Sequence, residues 1–231
     1  MDAAFVKSSV ERLGADLCGI APVGRFEDAP EGFHPRDVFP DCRSVVVFLA
    51  RFPSSFMAAR SLAPYTFIRN MMVKRLEEIT FRLCDTLEQG GALANPIPVD
   101  EPYEYWDEEL RHGRGIISLK HAAVLAGLGT LGKNTLLMNR EFGNMVWLGG
   151  ILTDLELEPD PLADYEGCID GCSLCLEICP GQALDGTTIV QKICREESFS
   201  STPGGGALYE CNRCRTICPR ARGFSTAPAH L

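Results

Sequence analysis

Residues 168–180 read Cys168-Ile-Asp-Gly-Cys172-Ser-Leu-Cys175-Leu-Glu-Ile-Cys179-Pro180, and residues 211–219 read Cys211-Asn-Arg-Cys214-Arg-Thr-Ile-Cys218-Pro219. The second run repeats the spacing of the last three cysteines of the first. Short cysteine runs that end in Cys-Pro are typical of proteins with two iron–sulfur clusters, in which the last cysteine of a run binds the other cluster. The two runs therefore predict two clusters.

Cys194 lies between the runs and supplies the thiolate that the second run lacks. Eight cysteines can hold two 4Fe–4S clusters if the last cysteine of each run crosses over. We expect one cluster on Cys168, Cys172, Cys175 and Cys218, and the other on Cys194, Cys211, Cys214 and Cys179. Two four-cysteine zinc sites are the alternative, but such sites usually pair separated two-cysteine knuckles rather than runs of three.

The composition describes a folded, acidic protein of 231 residues, with 45% hydrophobic residues and a formal net charge of −9. Nucleic-acid affinity depends largely on Lys and Arg side chains that displace counterions, so nucleic acid is not the expected partner. No apolar run approaches the roughly 20 residues that span a bilayer, and no basic-then-apolar leader opens the sequence. We therefore expect a cytoplasmic protein, with no membrane partner and with reduced thiols free to bind metal.

The sequence before the cysteine runs favours an α+β fold. Apolar residues recur at helical spacing in residues 3–13 and again from Pro64 to about Gln89, the longest predicted helix. The run from Ser44 to Leu49 is apolar and β-branched, which is typical of a buried strand. Pro96 and Pro98 mark an edge strand, because proline cannot donate to a sheet ladder.

The later part of this region predicts two more strands and a domain boundary. Residues 135–139 and 145–153 have strand patterns and are joined around Gly143-Asn144. The stretch 155–166 is acidic and contains two prolines, so we place a linker there. The predicted domains are a core of residues 1–160 and a cysteine module of residues 161–231.

A glycine turn, Gly127-Leu-Gly129-Thr-Leu-Gly132-Lys133-Asn134, lies within the core. It matches the dinucleotide pattern G-x-G-x-x-G and, apart from its last residue, the phosphate loop. Both mechanisms need a strand before the glycines and a helix after them, whereas a predicted helix from Ser118 to Ala126 precedes this turn. The turn therefore indicates backbone packed closely against another group rather than a nucleotide site.

The segments Ala126–Met138 and Gly143–Leu157, together with the cysteine module, resemble epoxyqueuosine reductases and, more distantly, reductive dehalogenases. The resemblance implies a nitroreductase-like core that holds a cobalamin. It also implies a C-terminal ferredoxin-like domain with two 4Fe–4S clusters, which takes electrons from an external low-potential donor of the ferredoxin or flavodoxin type and passes them to the cobalt. In that interpretation the corrinoid site is lined by Gly127, Gly129, Gly132, Lys133 and Asn134.

The sequence departs from this family in three respects. The Asp that the family carries before the glycine turn, proposed there as a proton donor, has no counterpart near His112, so Asp100, Asp107 and His112 are the candidate donors. The C-terminal helical-repeat domain associated with tRNA is missing, as is the twin-arginine export signal of respiratory dehalogenases. We therefore expect tRNA not to be a partner, and a small-molecule substrate of unknown identity.

Two classes of function compete. The leading hypothesis is an iron–sulfur oxidoreductase that passes low-potential electrons from two 4Fe–4S clusters to a corrinoid-type cofactor and reduces a small substrate. In that case the acidic, aromatic segment 100–115 and the glycine turn are expected to form two walls of one concave site. The alternative is a non-catalytic ferredoxin-like electron-transfer protein that has lost the corrinoid site. A flavin reductase is a third hypothesis, which no sequence feature favours.

Overall fold

The computed structural model describes residues 1–225, and residues 226–231, at the end of the predicted cysteine module, lie outside the described part. The helices are α1 Ala3–Leu13, α2 Pro35–Val38, α3 Ala63–Gln89, α4 Leu119–Leu125, α5 Leu174–Glu177, α6 Gln191–Ser198 and α7 Arg213–Thr216, with two short 3₁₀ helices at Val23–Phe26 and Ser54–Ala58. The strands are β1 Leu17–Pro22, β2 Ser44–Arg51, β3 Ala94–Ile97, β4 Tyr105–Asp107, β5 His112–Arg114, β6 Thr130–Leu131, β7 Leu137–Met138, β8 Val146–Thr153, β9 Phe199–Ser201 and β10 Ala207–Tyr209. The predicted mixture of helices and strands is confirmed.

A four-stranded antiparallel sheet in the order β1-β2-β8-β3 forms the centre of the core. Strand β2 is buried on both faces: Val46 and Phe48 belong to one hydrophobic cluster, and Val45 and Val47 belong to the other. This two-sided burial explains why β2 is continuously apolar in sequence instead of alternating with polar residues. Strand β3 lies at the sheet edge, as its prolines predicted.

Helices α1 and α3 cover one face of the sheet, and α4 covers the other. The side chain of Asp2 accepts a hydrogen bond from the backbone N–H of Phe5 at 2.9 Å, which caps the start of α1. Gly14 ends α1 in the left-handed conformation, with φ 105°. Helix α3 begins one residue before the predicted start at Pro64 and ends at Gln89, as its hydrophobic spacing indicated.

The prediction of two strands joined around Gly143-Asn144 is wrong in its pairing. Strand β7 pairs with β6, whereas β8 pairs with β2 and β3. The turn instead contacts the cysteine module, because the backbone N–H groups of Asn144 and Met145 both donate to the carbonyl of Ala221 at 3.1 Å. A long-range contact therefore overrides the local hairpin signal.

Segment 100–115 contains a small antiparallel hairpin, in which β4 pairs with β5. The predicted linker, residues 155–166, contains no helix or strand but is held to the core. Asp160 accepts a 2.5 Å hydrogen bond from Lys7 and another, at 2.9 Å, from the backbone N–H of Ile20. The division at residue 160 stays a prediction. None of the described helices is long and apolar enough to cross a membrane.

Candidate functional site

The first cysteine group consists of Cys168, Cys172, Cys175 and Cys218, which combines three cysteines of the first run with the last cysteine of the second. Burial, together with the smaller effects of the neighbouring Cys168, Cys175 and Cys172, raises the pKa of Cys218 to about 11. All four line one pocket, together with Lys133 and Arg220. The structure therefore brings this predicted set of four together.

The second cysteine group consists of Cys179, Cys194, Cys211 and Cys214. The pKa of Cys214 is raised to about 11, mainly by burial; the guanidinium of Arg215 lowers it, and Cys211, Cys194 and Cys179 raise it. Burial also raises the pKa of Cys194, on which Cys211 and Cys179 act in the same direction. Cys179, the last cysteine of the first run, thus lies among the cysteines of the second.

Backbone N–H groups point at one sulfur in each group. The N–H of Lys133 donates to Sγ of Cys168, and that of Ala183 donates to Sγ of Cys179, both at 3.3 Å. Hydrogen bonds to sulfur stabilise thiolates and tune the potential of a bound cluster. Within the described residues, no three His, Cys, Asp or Glu side chains are placed to hold a single metal ion. Ligation by the eight cysteines stays a prediction.

The glycine turn joins the core to the module. A Cβ atom on Gly127 would lie 2.1 Å from the carbonyl oxygen of Pro161, and one on Gly129 would lie 2.5 Å from that of Met138. The side chain of Lys133 donates to the carbonyl of Cys172 at 2.8 Å, and that of Asn134 donates to the carbonyl of Cys214 at 3.1 Å. The close packing inferred from the glycines is therefore packing against the protein itself. The corrinoid-binding role of the turn stays a prediction.

The β4–β5 hairpin contacts a different part of the module, helix α6. Gln191 bonds both the N–H and the carbonyl of Gly113, at 3.2 and 3.1 Å. The guanidinium of Arg195 lies 5.2 Å from the ring centre of Trp106, a cation–π contact. The hairpin thus meets the helix that carries Cys194, whereas the glycine turn meets Cys168, Cys172 and Cys214.

A cavity of about 180 Å³ opens between α4, β8 and α7. Its wall is mostly aliphatic, with one aromatic ring and three polar side chains. The lining residues are Val99, Leu119, Lys120, Leu136, Leu137, Asn144, Val146, Trp147, Leu148 and Arg215. We call this space the interface cavity, because Arg215 comes from the module and the other residues come from the core.

Two cations of the interface cavity lie against the second cysteine group. Lys120 donates to the carbonyl of Thr135 at 2.8 Å; burial lowers its pKa, and the charges of Cys194 and Cys214 oppose that shift. Arg215 is only 6% exposed, donates to the carbonyl of Asn144 and lies 5.5 Å from the ring centre of Trp147. No carboxylate among the described residues forms an ion pair with either cation.

Asn144, one of the residues that line the cavity, also has a buried side-chain acceptor. Asn144 is 1% exposed, and its Nδ2 donates to the carbonyl of Arg215 at 3.1 Å. Its Oδ1 has no hydrogen-bond partner among the described residues. An unsatisfied buried acceptor costs roughly 1–3 kcal/mol.

Sequence reasoning missed these cavity residues. Arg215 stands inside the second cysteine run, which is the one signal that associates it with a cluster. Lys120, Asn144 and Trp147 reach the site only through long-range packing, which no local pattern reports.

The three candidate proton donors do not line the interface cavity. Asp100 forms an ion pair with Arg69 at 2.6 Å. Asp107 accepts the backbone N–H of Leu110 at 2.8 Å and so shapes the β4–β5 hairpin, and His112 is half-buried in β5. Their catalytic role stays a prediction.

Comparison with known proteins gives relatives in both sequence and structure. No family model matches the chain. An epoxyqueuosine reductase of Staphylococcus aureus is 33% identical over 123 residues, which is 48% of this chain and 32% of that relative. The match therefore spans about a third of the relative's length.

Two solved structures share the fold. An epoxyqueuosine reductase with an epoxyqueuosine-modified tRNA-Tyr stem loop superposes with a TM-score of 0.65 and 20% identity, over 96% of this chain and 66% of that one. A catabolic reductive dehalogenase in complex with 3-bromo-4-hydroxybenzoic acid gives a TM-score of 0.68 and 20% identity, over 94% of this chain and 31% of the other.

The expectation that tRNA is not a partner is wrong, because a structural neighbour holds a tRNA stem loop. The net charge of −9 misled because it averages over the whole chain. Residues 211–222 contain four arginines and no acidic residue, so the local charge of the module differs from that of the whole chain.

The predicted resemblance is confirmed: the chain is similar in sequence to epoxyqueuosine reductases, which are oxidoreductases, and shares its fold with epoxyqueuosine reductases and reductive dehalogenases.

Proposed function

We propose that this chain is an iron–sulfur oxidoreductase that holds two 4Fe–4S clusters on its module cysteines and binds its substrate in the interface cavity. The observation that carries the proposal is the position of this cavity, which is walled by Lys120 and Arg215 directly beside the second cysteine group. A nitroreductase-like core and a ferredoxin-like module are part of the same proposal, supported by the shared fold.

The residues present fit two clusters. Eight thiols form two sets of four, and each set receives a backbone N–H hydrogen bond at sulfur. When bound, such clusters supply electrons one at a time at low potential. Lys120 and Arg215 offset the negative charge that four thiolates of the second group bring into a buried site. Each residue thereby lowers the cost of placing that charge beside the apolar wall of the cavity.

Cobalamin, the cofactor that the resemblance implies, is larger than the interface cavity. Pockets for drug-sized ligands measure roughly 300–1,000 Å³, and a cobalamin is larger than such ligands. The interface cavity of about 180 Å³ does not enclose a whole cobalamin. We therefore derive no step through a corrinoid, and hydroxocobalamin enters only as a probe.

The carrier of the substrate is a separate question, because the chain is similar to enzymes named for a tRNA-borne group. A stem loop that presents a modified base is one candidate, and Arg213, Arg220 and Arg222, which are not buried, are the cations of residues 211–222 available to hold its phosphates. The other candidate is a free small molecule. A protein that only transfers electrons does not need a cavity beside the second cysteine group, so the cavity favours the oxidoreductase over the electron-transfer alternative.

The deciding experiment is anaerobic purification followed by iron, sulfide and zinc analysis. We expect about eight iron and eight sulfide per chain, and reduction should give the electron paramagnetic resonance (EPR) signals of two clusters. Stoichiometric zinc with little iron would contradict the proposal. Titration with hydroxocobalamin and gel-shift assays with tRNA on the same preparation then test the cofactor and the carrier separately.

A further inference from the structure

Arg215 is a buried charge inside the second cysteine run, and its position bears on the electrons of the module. We propose that Arg215 sets the reduction potential of the cluster on the second cysteine group, the second cluster, and makes it easier to reduce than the cluster on the first group, the first cluster. This inference rests on the proposed function, because it assumes that both groups hold 4Fe–4S clusters. It does not depend on what the interface cavity binds.

The guanidinium of Arg215 is surrounded by neutral groups. The residue is 6% exposed, and its Nη1 donates to the carbonyl of Asn144. The guanidinium lies 5.6 Å from the ring centre of Phe52 and 5.5 Å from that of Trp147. No carboxylate in the described part of the chain forms an ion pair with it. A cation removed from water without a counter-charge is strongly destabilising, so a negative charge from another source has to balance Arg215.

The second cysteine group is the source of that negative charge. Arg215 directly follows Cys214, and its charge lowers the pKa of that thiol, so it favours the thiolate over the thiol. A cluster with four thiolates carries a net charge of about −2 when oxidised and about −3 after it accepts one electron. Because the added electron is attracted by a nearby cation in a site of low dielectric, Arg215 stabilises the reduced cluster more than the oxidised one.

The cations beside the first cysteine group are less buried. Lys133 and Arg220 line the pocket of this group, but both are half-buried, and water screens a partly exposed charge. Lys133 donates to the carbonyl of Cys172 at 2.8 Å, and Arg220 donates to that of Cys168 at 3.2 Å, so both also hold the backbone of the first run. We therefore expect a single electron on the two clusters to reside mainly on the second, which lies beside the interface cavity.

The test is EPR-monitored potentiometry on the anaerobically purified full chain, in which dithionite supplies one electron to each cluster. Arg215→Gln removes the buried charge; Arg213→Gln is the matched control, because Arg213 also adjoins Cys214 but is exposed. We expect Arg215→Gln to lower the equilibrium constant for reduction of the second cluster by about tenfold or more, which is about 59 mV for a one-electron couple. Arg213→Gln should lower it by less than about threefold, and so should Arg215→Lys, which keeps the charge.

Equal second-cluster potentials in Arg215→Gln and Arg213→Gln would overturn the role of Arg215. The unmodified chain tests the order of the two clusters, with the signals of the first assigned from Cys211→Ser; a second cluster that is harder to reduce than the first would overturn that order. Should Arg215→Gln not fold, Arg215→Met fills the same space without charge, and the same decrease is expected. Absence of clusters from the unmodified chain would contradict the proposed function, whereas two intact clusters with unshifted potentials would contradict this inference alone.

Discussion

The contact between the core and the segment after Cys218 should be visible in the stability of one glycine variant. Gly143 has φ 60°, and a Cβ atom placed on it would lie 2.0 Å from the carbonyl oxygen of Arg220. Gly143→Ala therefore adds two costs: roughly 1–2 kcal/mol for a left-handed alanine and roughly 1–3 kcal/mol for overpacking against backbone that cannot rotate away.

Gly91→Ala is the matched control. Gly91 also has positive φ, at 86°, but a Cβ atom there has no neighbour within 4 Å. The difference between the two variants therefore isolates the overpacking cost of about 1–3 kcal/mol. With a shift of about 2–4 °C per kcal/mol for a chain of this size, Gly143→Ala should melt about 2–12 °C below Gly91→Ala.

The assay is anaerobic thermal unfolding followed by circular dichroism, at one scan rate for both variants. Melting of the two variants at the same temperature would refute the close approach of the Gly143 turn to Arg220 and Ala221. A lower melting temperature for Gly91→Ala would reverse the expected order and would have the same consequence.

Two further predictions concern the cysteines. Cys179→Ser should remove the cluster of the second cysteine group, so its EPR spectrum should match that of Cys211→Ser; a match to Cys172→Ser would contradict the crossover. Burial raises the pKa of Cys42 to about 11 and that of Cys84 to about 12. At pH 8 the thiolate fractions of the two side chains are therefore on the order of 10⁻³ and 10⁻⁴, and they rise only as the pH approaches the pKa of each thiol. Iodoacetamide at pH 8 should leave both cysteines unmodified in the folded protein, as measured by mass spectrometry. Rapid labelling of either cysteine would show that its thiol is not buried.

The sequence was informative where a local rule determines the structure. Helical spacing in α3 and the continuous apolar run of β2 predicted both elements, because burial imposes a fixed period on the chain. The cysteine spacing predicted which thiols gather, because a short loop can bring only some of its cysteines to one side. The structure has Cys179 and Cys218 among the cysteines of the opposite runs.

The sequence was uninformative where distant segments meet. Gly143-Asn144 has a hairpin pattern, but the backbone N–H of Asn144 donates to the carbonyl of Ala221, about 80 residues later. The interface cavity joins Lys120 of α4, Trp147 of β8 and Arg215 of α7, and no periodicity links these three positions. The proton-donor candidates were sought in the segment before the glycine turn, whereas the polar groups beside the second cysteine group come from three separate elements.

The positions of the two tryptophans give the protein an optical reporter of its clusters. The chain has two tryptophans. The ring of Trp106 contacts the guanidinium of Arg195, and Arg195 lies on the helix that carries Cys194. The ring of Trp147 contacts Arg215, the residue after Cys214. Iron–sulfur clusters absorb in the wavelength range of indole emission, so a cluster on the second cysteine group should quench both tryptophans by energy transfer. Intrinsic fluorescence would then rise as clusters are lost to oxygen or chelator, and would follow their reassembly in real time without a label.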